Sequence, residues 1–223
     1  MKSSIPFFLH IRWILFTVIS NSIAMAYGFS LIQDSKSTWH EYFLKGLLIA
    51  GLLSGVAQWV LLETKLKNTW LWIVINSFGI PSGLILGHYL FATLVSLAFT
   101  IMRKEIMTEG WIDLAYPLVV ISIAGIVLGI FQWLVLKNKV EFAYWWIPVS
   151  AVSWIIGICL PYVIFYSLDT AIWGDSWGIS GAVFGIMLGG IVGTIGSVAI
   201  GKMLANPKHL IKQVEFPPIG DAS

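Results

Sequence analysis

Six long apolar runs are the feature that most constrains how this chain folds. A run of about 20 apolar residues is long enough to cross a membrane as a helix. Only 11% of the residues are charged, against about 25% in soluble domains, which excludes a water-soluble domain of useful size. The sequence therefore predicts an all-α, polytopic membrane bundle of six transmembrane helices. The runs cover roughly residues 11–33, 43–62, 70–101, 114–136, 143–168 and 179–204.

The third run is longer than a membrane crossing requires. At about 1.5 Å per residue, a helix over residues 70–101 exceeds a hydrocarbon core of about 30 Å. We expect this helix to tilt, to kink near Pro81 and to project past the outer surface. Residues 1–205 are predicted to form a single transmembrane bundle, and residues 206–223 a flexible cytoplasmic tail.

The basic residues are distributed unequally between the two ends of the predicted spans. With an inward N-terminus, nine Lys and Arg residues fall on the inner side and four on the outer side. Cytoplasmic loops of membrane proteins carry such an excess of positive charge. We therefore expect both termini in the cytoplasm, with the chain in a bacterial inner membrane or a thylakoid. We expect the lipid bilayer to surround the chain. We expect no nucleic acid as a partner, because a net charge of +2 is small and the sequence has no basic tract.

Two of the runs share the motif G-x-x-x-G-x-x-Q-W, at residues 51–59 and 125–133. Aligned without a gap at an offset of 74, residues 46–91 and 120–165 are identical at 13 of 46 positions. We interpret this similarity as an internal parallel repeat of a two-helix hairpin. The two copies cover about residues 40–101 and 114–168.

The motif places two glycines and one glutamine on the same face of each helix, because positions i, i+4 and i+7 share a face. The two faces consist of Gly51, Gly55 and Gln58, and of Gly125, Gly129 and Gln132. One interpretation is a structural clamp, in which each glutamine amide bonds to a partner helix or to the indole of Trp72 or Trp146. The other is a paired-amide gate or solute-binding site, with Asn76 and His88 as further binding residues.

These hairpins resemble a family of uncharacterised multi-span bacterial membrane proteins, common in cyanobacteria, that carry G-x3-G-x2-Q-W-x2-L hairpins. The resemblance covers residues 46 to about 168. The family has no known activity, so the resemblance implies the architecture and not a reaction or a substrate.

The last run has a different pattern, with a small residue at every fourth position. These positions are Gly181, Gly185, Gly189, Gly193, Ser197 and Gly201. Small residues allow two helix backbones to approach closely, so the pattern predicts a tight helix contact. The ridge packs either inside the bundle or, alternatively, against another membrane subunit or a second copy of this chain.

Residues 178–181, G-I-S-G, resemble the G-x-S-G motif of the rhomboid intramembrane proteases. The resemblance implies Ser180 as a nucleophile, but the family's base is a histidine on a later helix, and no later span follows here. The family's earlier histidine–asparagine pair is also missing, because Ala92 stands four residues after His88. A catalytic Ser180–His88 pair is therefore an alternative hypothesis, against a glycine-rich helix start.

His88 is the lone histidine deep in a predicted span, and ionisable groups in membranes are candidates for function. Haem or chlorophyll ligation is one hypothesis, although His10 lies near the opposite membrane face. A hydrogen bond across helices is the other, and we predict no cofactor and no metal site. No span carries a central Asp, Glu, Lys or Arg, which counts against proton-coupled transport.

Three functions remain open on the sequence alone. The one that we predict is a non-catalytic membrane subunit or scaffold, whose glycine faces pack against other transmembrane helices. The second is a small-solute permease or channel, or the substrate-binding subunit of a transporter. The third is a rhomboid-like intramembrane serine protease.

Overall fold

The structure, a computed structural model, describes residues 7–33, 39–102, 109–167 and 177–205. Residues 206–223, predicted as a flexible tail, lie outside this part of the chain. A short 3-10 helix, Ala143–Trp145, precedes the fifth long helix. The long helices are α1 Phe7–Gln33, α2 Trp39–Glu63, α3 Leu71–Met102, α4 Glu109–Leu136, α5 Trp146–Ser167 and α6 Trp177–Leu204.

All six helices are long and apolar enough to cross a membrane, which confirms the predicted six-helix transmembrane bundle. Their bounds agree with the predicted runs to within about five residues. The third helix is the longest, at 32 residues, and continues through Pro81. The side of the membrane on which each end lies stays a prediction from the positive charges.

The helices form a closed ring in which each helix packs mainly against two neighbours. Neighbours in sequence are neighbours in space, and α6 returns to pack against α1. The α1–α6 contact is the most extensive in the bundle, whereas the α5–α6 contact is the least extensive of the six. A closed ring of this kind surrounds a central axis, to which each helix presents one face.

Two apolar clusters fill the axis of the ring at different heights. We call the end of the bundle that carries the short α2–α3 and α4–α5 turns the turn end. The turn-end cluster includes Trp13, Leu62, Trp72, Leu136, Trp146 and Ile200. The mid-bundle cluster includes Met25, Leu47, Ile80, Leu128, Trp154 and Leu188. Residues between these two heights can therefore be shielded from both water and lipid.

The α2–α3 turn is held by a carboxylate from the helix that precedes it. One oxygen of Glu63 accepts a hydrogen bond from the backbone N–H of Asn68, at 3.0 Å. The other oxygen accepts from the backbone N–H and the hydroxyl of Thr69, at 2.9 and 2.6 Å. Asn68 has a φ of 58°, which asparagine adopts more readily than most residues. The Nζ of Lys139, in the second turn, donates to the Lys67 and Asn68 carbonyl oxygens.

We expect Glu63→Gln to lower the midpoint of thermal unfolding in detergent, because the amide replaces an acceptor oxygen by a donor that faces N–H and O–H donors. The decrease should be modest, since the turn is partly exposed and water can replace part of the lost bonding. Glu141→Gln in the second turn is the matched control, because Glu141 is exposed. Equal midpoints for the two variants would contradict a bonding role for Glu63.

Candidate functional site

A polar chamber lies on the axis of the ring, between the two apolar clusters. Its cavity volume is about 50 Å³, and all six helices contribute to its wall. Among the residues that the structure describes, those lining the chamber include no charged side chain. Its polar lining consists of Thr17, Asn21, Ser54, Gln58, Asn76, Gln132, Ser150 and Ser153. All eight of these side chains are buried.

Spacing along the helices explains why these side chains point to the axis. Residues four apart lie one above the other on the same helix face. Thr17 and Asn21 are four apart on α1, and both line the chamber. On α3, Asn76 follows Trp72 by four residues, and on α5, Ser150 follows Trp146 by four. Each of these three helices thus presents an aligned row of side chains to the axis.

The first glutamine links three helices through its amide. The oxygen of Gln58, on α2, accepts a hydrogen bond from the indole Nε1–H of Trp72, on α3, at 3.0 Å. Its nitrogen donates to the hydroxyl oxygen of Thr17, on α1, at 3.1 Å. The Thr17 hydroxyl in turn donates to the Trp13 carbonyl at 2.8 Å. Because indole N–H is only a donor, the amide orientation is fixed.

The second glutamine makes the corresponding bonds one hairpin further along the ring. The oxygen of Gln132 accepts from the indole Nε1–H of Trp146. Its nitrogen donates to the Oδ1 of Asn76, on α3, at 3.0 Å. The Nδ2 of Asn76 donates to the Trp72 carbonyl at 2.7 Å. Each glutamine therefore bonds both to an indole of its own hairpin and to the helix before that hairpin, as the clamp interpretation requires.

Three tryptophans pack together at the turn end of the chamber, and two of them, Trp13 and Trp146, line it. The ring centroids of Trp13, Trp72 and Trp146 are separated by 6.2, 6.4 and 5.9 Å, within the range of favourable aromatic pairs. All three side chains are buried. We call this group the tryptophan triad. Two of its members are held by the glutamine amides, whereas Trp13 comes from α1, outside the two hairpins.

Close glycine contacts occur in several helix pairs, including α3–α4, where a methyl group on Gly83 would lie 2.5 Å from the Cα of Ala124. A methyl group on Gly51, in α2, would overlap the backbone oxygen of Asn76, in α3. On Gly125, in α4, it would lie 2.7 Å from the Cα of Ala151, in α5. On Gly185, in α6, it would overlap the backbone oxygen of Asn21, in α1. Gly55 and Gly129, one turn further on, pack in the same way against Ile73 and Ile147.

The small-residue ridge of α6 faces α1 inside the bundle. Methyl groups added to Gly181 and Gly189 would meet the backbone of Met25 and Thr17 respectively. Gly193 lies against Thr17 and Ile14, which also belong to α1. At these positions, and at Gly185, the face of α6 is therefore covered by α1 of this chain. Of the two alternatives given by the sequence, the geometry of the ridge is that of packing within the bundle.

One chamber amide differs from the others. The Nδ2 of Asn21 donates to the Thr17 carbonyl at 2.8 Å. Within the described ranges, no donor reaches the Asn21 Oδ1, although this side chain is only 3% exposed. The sequence motifs did not identify Thr17 as part of the chamber. The four-residue spacing from Trp13 to Thr17 to Asn21 is the signal that would have found this row.

Ser180 and His88 belong to distant parts of the ring. Ser180 is buried in α6, and Gly181 beside it packs on Met25 of α1. The Nδ1 of His88, on α3, lies 3.1 Å from the Tyr116 hydroxyl of α4. Since α6 packs mainly against α1 and α5, and α3 against α2 and α4, the ring separates the two residues. His88 is also exposed and lies outside the chamber wall.

No metal-binding cluster of three or more His, Cys, Asp or Glu side chains occurs among the described residues. For His88, the observed interactions are a hydrogen bond across helices and edge contacts with the Tyr89 and Tyr116 rings. The haem or chlorophyll hypothesis for this residue stays a prediction without further support.

The chain was compared with protein-family models, with curated proteins and with solved structures, and nothing in any of the three comparisons matches it. Its function is therefore argued from the chamber and its surroundings.

Proposed function

We propose that this integral membrane protein is a permease that binds a small uncharged solute in the central chamber. The observation that carries the proposal is the placement of four buried amides around one cavity on the axis of a six-span bundle. Binding sites in membrane bundles are built where polar groups converge between helices. The four amides, which belong to Asn21, Gln58, Asn76 and Gln132, come from four different helices.

The chamber's composition supports an uncharged solute. Transfer of a charge from water to a low-dielectric interior is costly unless an opposite charge or several hydrogen bonds compensate it. Amides, hydroxyls and apolar groups line this cavity, without a charged side chain among the described lining residues. The lack of a central carboxylate or lysine in the spans also supports passive movement over proton coupling.

The volume of the chamber limits the size of the solute. One water molecule needs about 10–15 Å³ of cavity volume measured in this way. A cavity of about 50 Å³ therefore accommodates roughly three to five water-sized groups. This space suits a solute of about four non-hydrogen atoms. It is too small for a sugar, a nucleotide or a vitamin in the observed arrangement.

Passage across the membrane requires one end of the chamber to open. Trp13 and Trp146 of the tryptophan triad line the turn end, and the mid-bundle cluster lines the other end through Leu47, Ile80, Leu128 and Trp154. Because Gln58 and Gln132 hold two of the three indoles, a change in amide bonding is a direct way to move the triad. This arrangement supports the gate interpretation in addition to the clamp.

The scaffold hypothesis has weaker support. It predicted that the glycine faces bind other transmembrane helices. The glycines of α2, α4 and α6 instead contact α3, α5 and α1 of the same chain. Association with other membrane subunits, or self-association, stays a prediction for purification in a mild detergent to test. No observation favours the protease hypothesis, because the ring separates Ser180 from His88.

We expect proteoliposomes containing the protein to take up urea and acetamide faster than protein-free liposomes, as measured by stopped-flow light scattering. Ser54→Leu should reduce the protein-dependent uptake rate about tenfold. Ser54 lines the chamber, so the larger leucine side chain would fill part of the cavity, and overpacking of this kind costs about 1–3 kcal/mol. The matched control is Val56→Leu, which enlarges an exposed side chain of the same helix. Uptake equal to protein-free liposomes, despite correct folding, would contradict the permease. Ser54-dependent binding without uptake would instead indicate a substrate-binding subunit.

A further inference from the structure

We infer that a groove between α5 and α6 binds one anionic phospholipid, with an acyl chain along the groove and the phosphate beside Lys202. The groove is distinct from the central chamber, although Val149 contributes to the walls of both. A lipid bound here would be a second ligand of the protein, whatever solute the chamber takes.

The groove lies where the ring is least tightly packed. The α5–α6 contact is the least extensive of the six, and it leaves a volume of about 650 Å³ between the two helices. Sites for small molecules have volumes of about 300–1,000 Å³. On α6 the groove extends from Thr194 to Lys202, a length of about 12 Å at about 1.5 Å per residue. It therefore runs along the helices, as a lipid chain does in a bilayer.

The lining of the groove suits an acyl chain. Phe142, Trp145 and Val198 are each about half exposed, so the groove is open at its side. Bundles that span a membrane have acyl chains around them, and a chain in this groove would contact apolar groups on both walls. Seven of the nine described lining side chains are apolar, namely Phe142, Trp145, Val149, Ile195, Val198, Ala199 and Met203.

One end of the groove carries a positive charge. Lys202 is exposed, belongs to the last turn of α6, and is the one charged side chain among the described lining residues. A lysine at a membrane boundary extends its ammonium group toward the headgroups while its stem stays on apolar surface. Trp145 lies at the same end, and tryptophans are enriched at the level of the headgroups. The phosphate of a lipid in the groove is therefore expected beside Lys202.

The charge of the whole turn end favours an anionic lipid over a zwitterionic one. Basic side chains at a membrane surface attract anionic headgroups, and a zwitterionic headgroup would bring a further positive group to this end. The described residues at the turn end include six basic side chains and two acidic ones. These are Arg12, Lys65, Lys67, Lys137, Lys139 and Lys202, against Glu63 and Glu141.

Native mass spectrometry of the full chain tests the headgroup. The delipidated protein is offered equal amounts of phosphatidylglycerol and phosphatidylcholine with the same acyl chains. We expect the first lipid bound to be phosphatidylglycerol by about fivefold, and Lys202→Gln to abolish this preference. The matched control is Lys65→Gln, which removes the same charge from an exposed position at the same end, outside the described groove lining.

A second pair of variants tests the position of the acyl chain. Val198→Trp should fill part of the groove and weaken binding of the first lipid about fivefold or more. Val152→Trp is the matched control, because Val152 on α5 is 48% exposed against 49% for Val198 but lies outside the groove lining. The second variant should bind the lipid as the native chain does.

Equal binding of the two lipids to the native chain would overturn the inference. Equal effects of Lys202→Gln and Lys65→Gln would also overturn it, since the charge would then act without a site. If phosphatidylglycerol binds only after residues 206–223 are removed, that segment covers the groove in place of a lipid. A dimer that Val198→Trp disrupts, without lipid binding, would assign the groove to a second copy. Solute uptake tests the proposed function separately, because none of these results depends on it.

Discussion

Replacement of Gly185 by alanine is expected to separate α1 from α6 and to lower the stability of the bundle by about 3 kcal/mol or more. The new methyl group would overlap the backbone oxygen of Asn21 and lie 2.6 Å from the Cα of Ser22. A backbone cannot rotate away as a flexible side chain can, so the two helices must move apart. Since α1–α6 is the most extensive contact in the ring, this movement removes the packing that closes it.

The matched control for this variant is Gly190→Ala on the same helix. Apart from its own helix turn, no described atom lies within 4 Å of a methyl group at Gly190, so we expect this variant to be as stable as the native protein or slightly more stable. Thermal unfolding and size-exclusion chromatography in one detergent would compare the two. Equal midpoints for Gly185→Ala and Gly190→Ala would show that α1 and α6 do not approach each other closely at Gly185.

The second large effect is expected for Gln132→Leu. The substitution leaves the Trp146 indole N–H and the Asn76 Oδ1 without their partner. Hydrogen bonds between membrane helices contribute about 0.6–1.7 kcal/mol each, so the loss of two predicts about 1–3.5 kcal/mol. The midpoint of thermal unfolding should fall accordingly. Since Gln132 and Trp146 both line the chamber, solute uptake should fall as well.

A double-mutant cycle with Trp146→Phe distinguishes this bond from general packing. Phenylalanine removes the indole N–H that Gln132→Leu leaves unpaired. We therefore expect Trp146→Phe to cost less stability in the Gln132→Leu background than in the native protein. Additive effects would instead show that the two side chains contribute independently and that no bond joins them. The Gln58–Trp72 pair permits the same cycle in the first hairpin.

The two predictions address different components of one arrangement. The glycines set how closely neighbouring helices approach, and each glutamine amide connects its hairpin to the helix before it. Gly51 and Gln58 lie on one face of α2, and Gly125 and Gln132 lie on one face of α4. Both turns also contain a residue with positive φ, Asn68 and Phe142, which are 74 positions apart. The internal duplication itself stays a prediction from the sequence.

Some of the chamber was predictable before the structure. The shared Q-W motif identified Gln58 and Gln132, and the proposed bond from each amide to an indole followed from the spacing within one hairpin. Trp13 and Thr17 were not predicted as part of the chamber, because α1 lies outside the repeated pattern. The bond from Gln58 to Thr17 joins residues 41 positions apart. No periodicity within one helix reports such a contact.

The sequence alone determined the six membrane-spanning helices of this protein. The transfer of a segment from water to lipid is nearly a sum over its own residues, so length and apolar composition are sufficient to predict a span. The tertiary structure decided which faces meet. It shows that the α6 ridge packs on α1 and that side chains with four amides surround one cavity. Lipid-exposed and buried faces of these helices are both apolar, so hydrophobicity does not distinguish them, and only close packing and hydrogen bonding fix the arrangement.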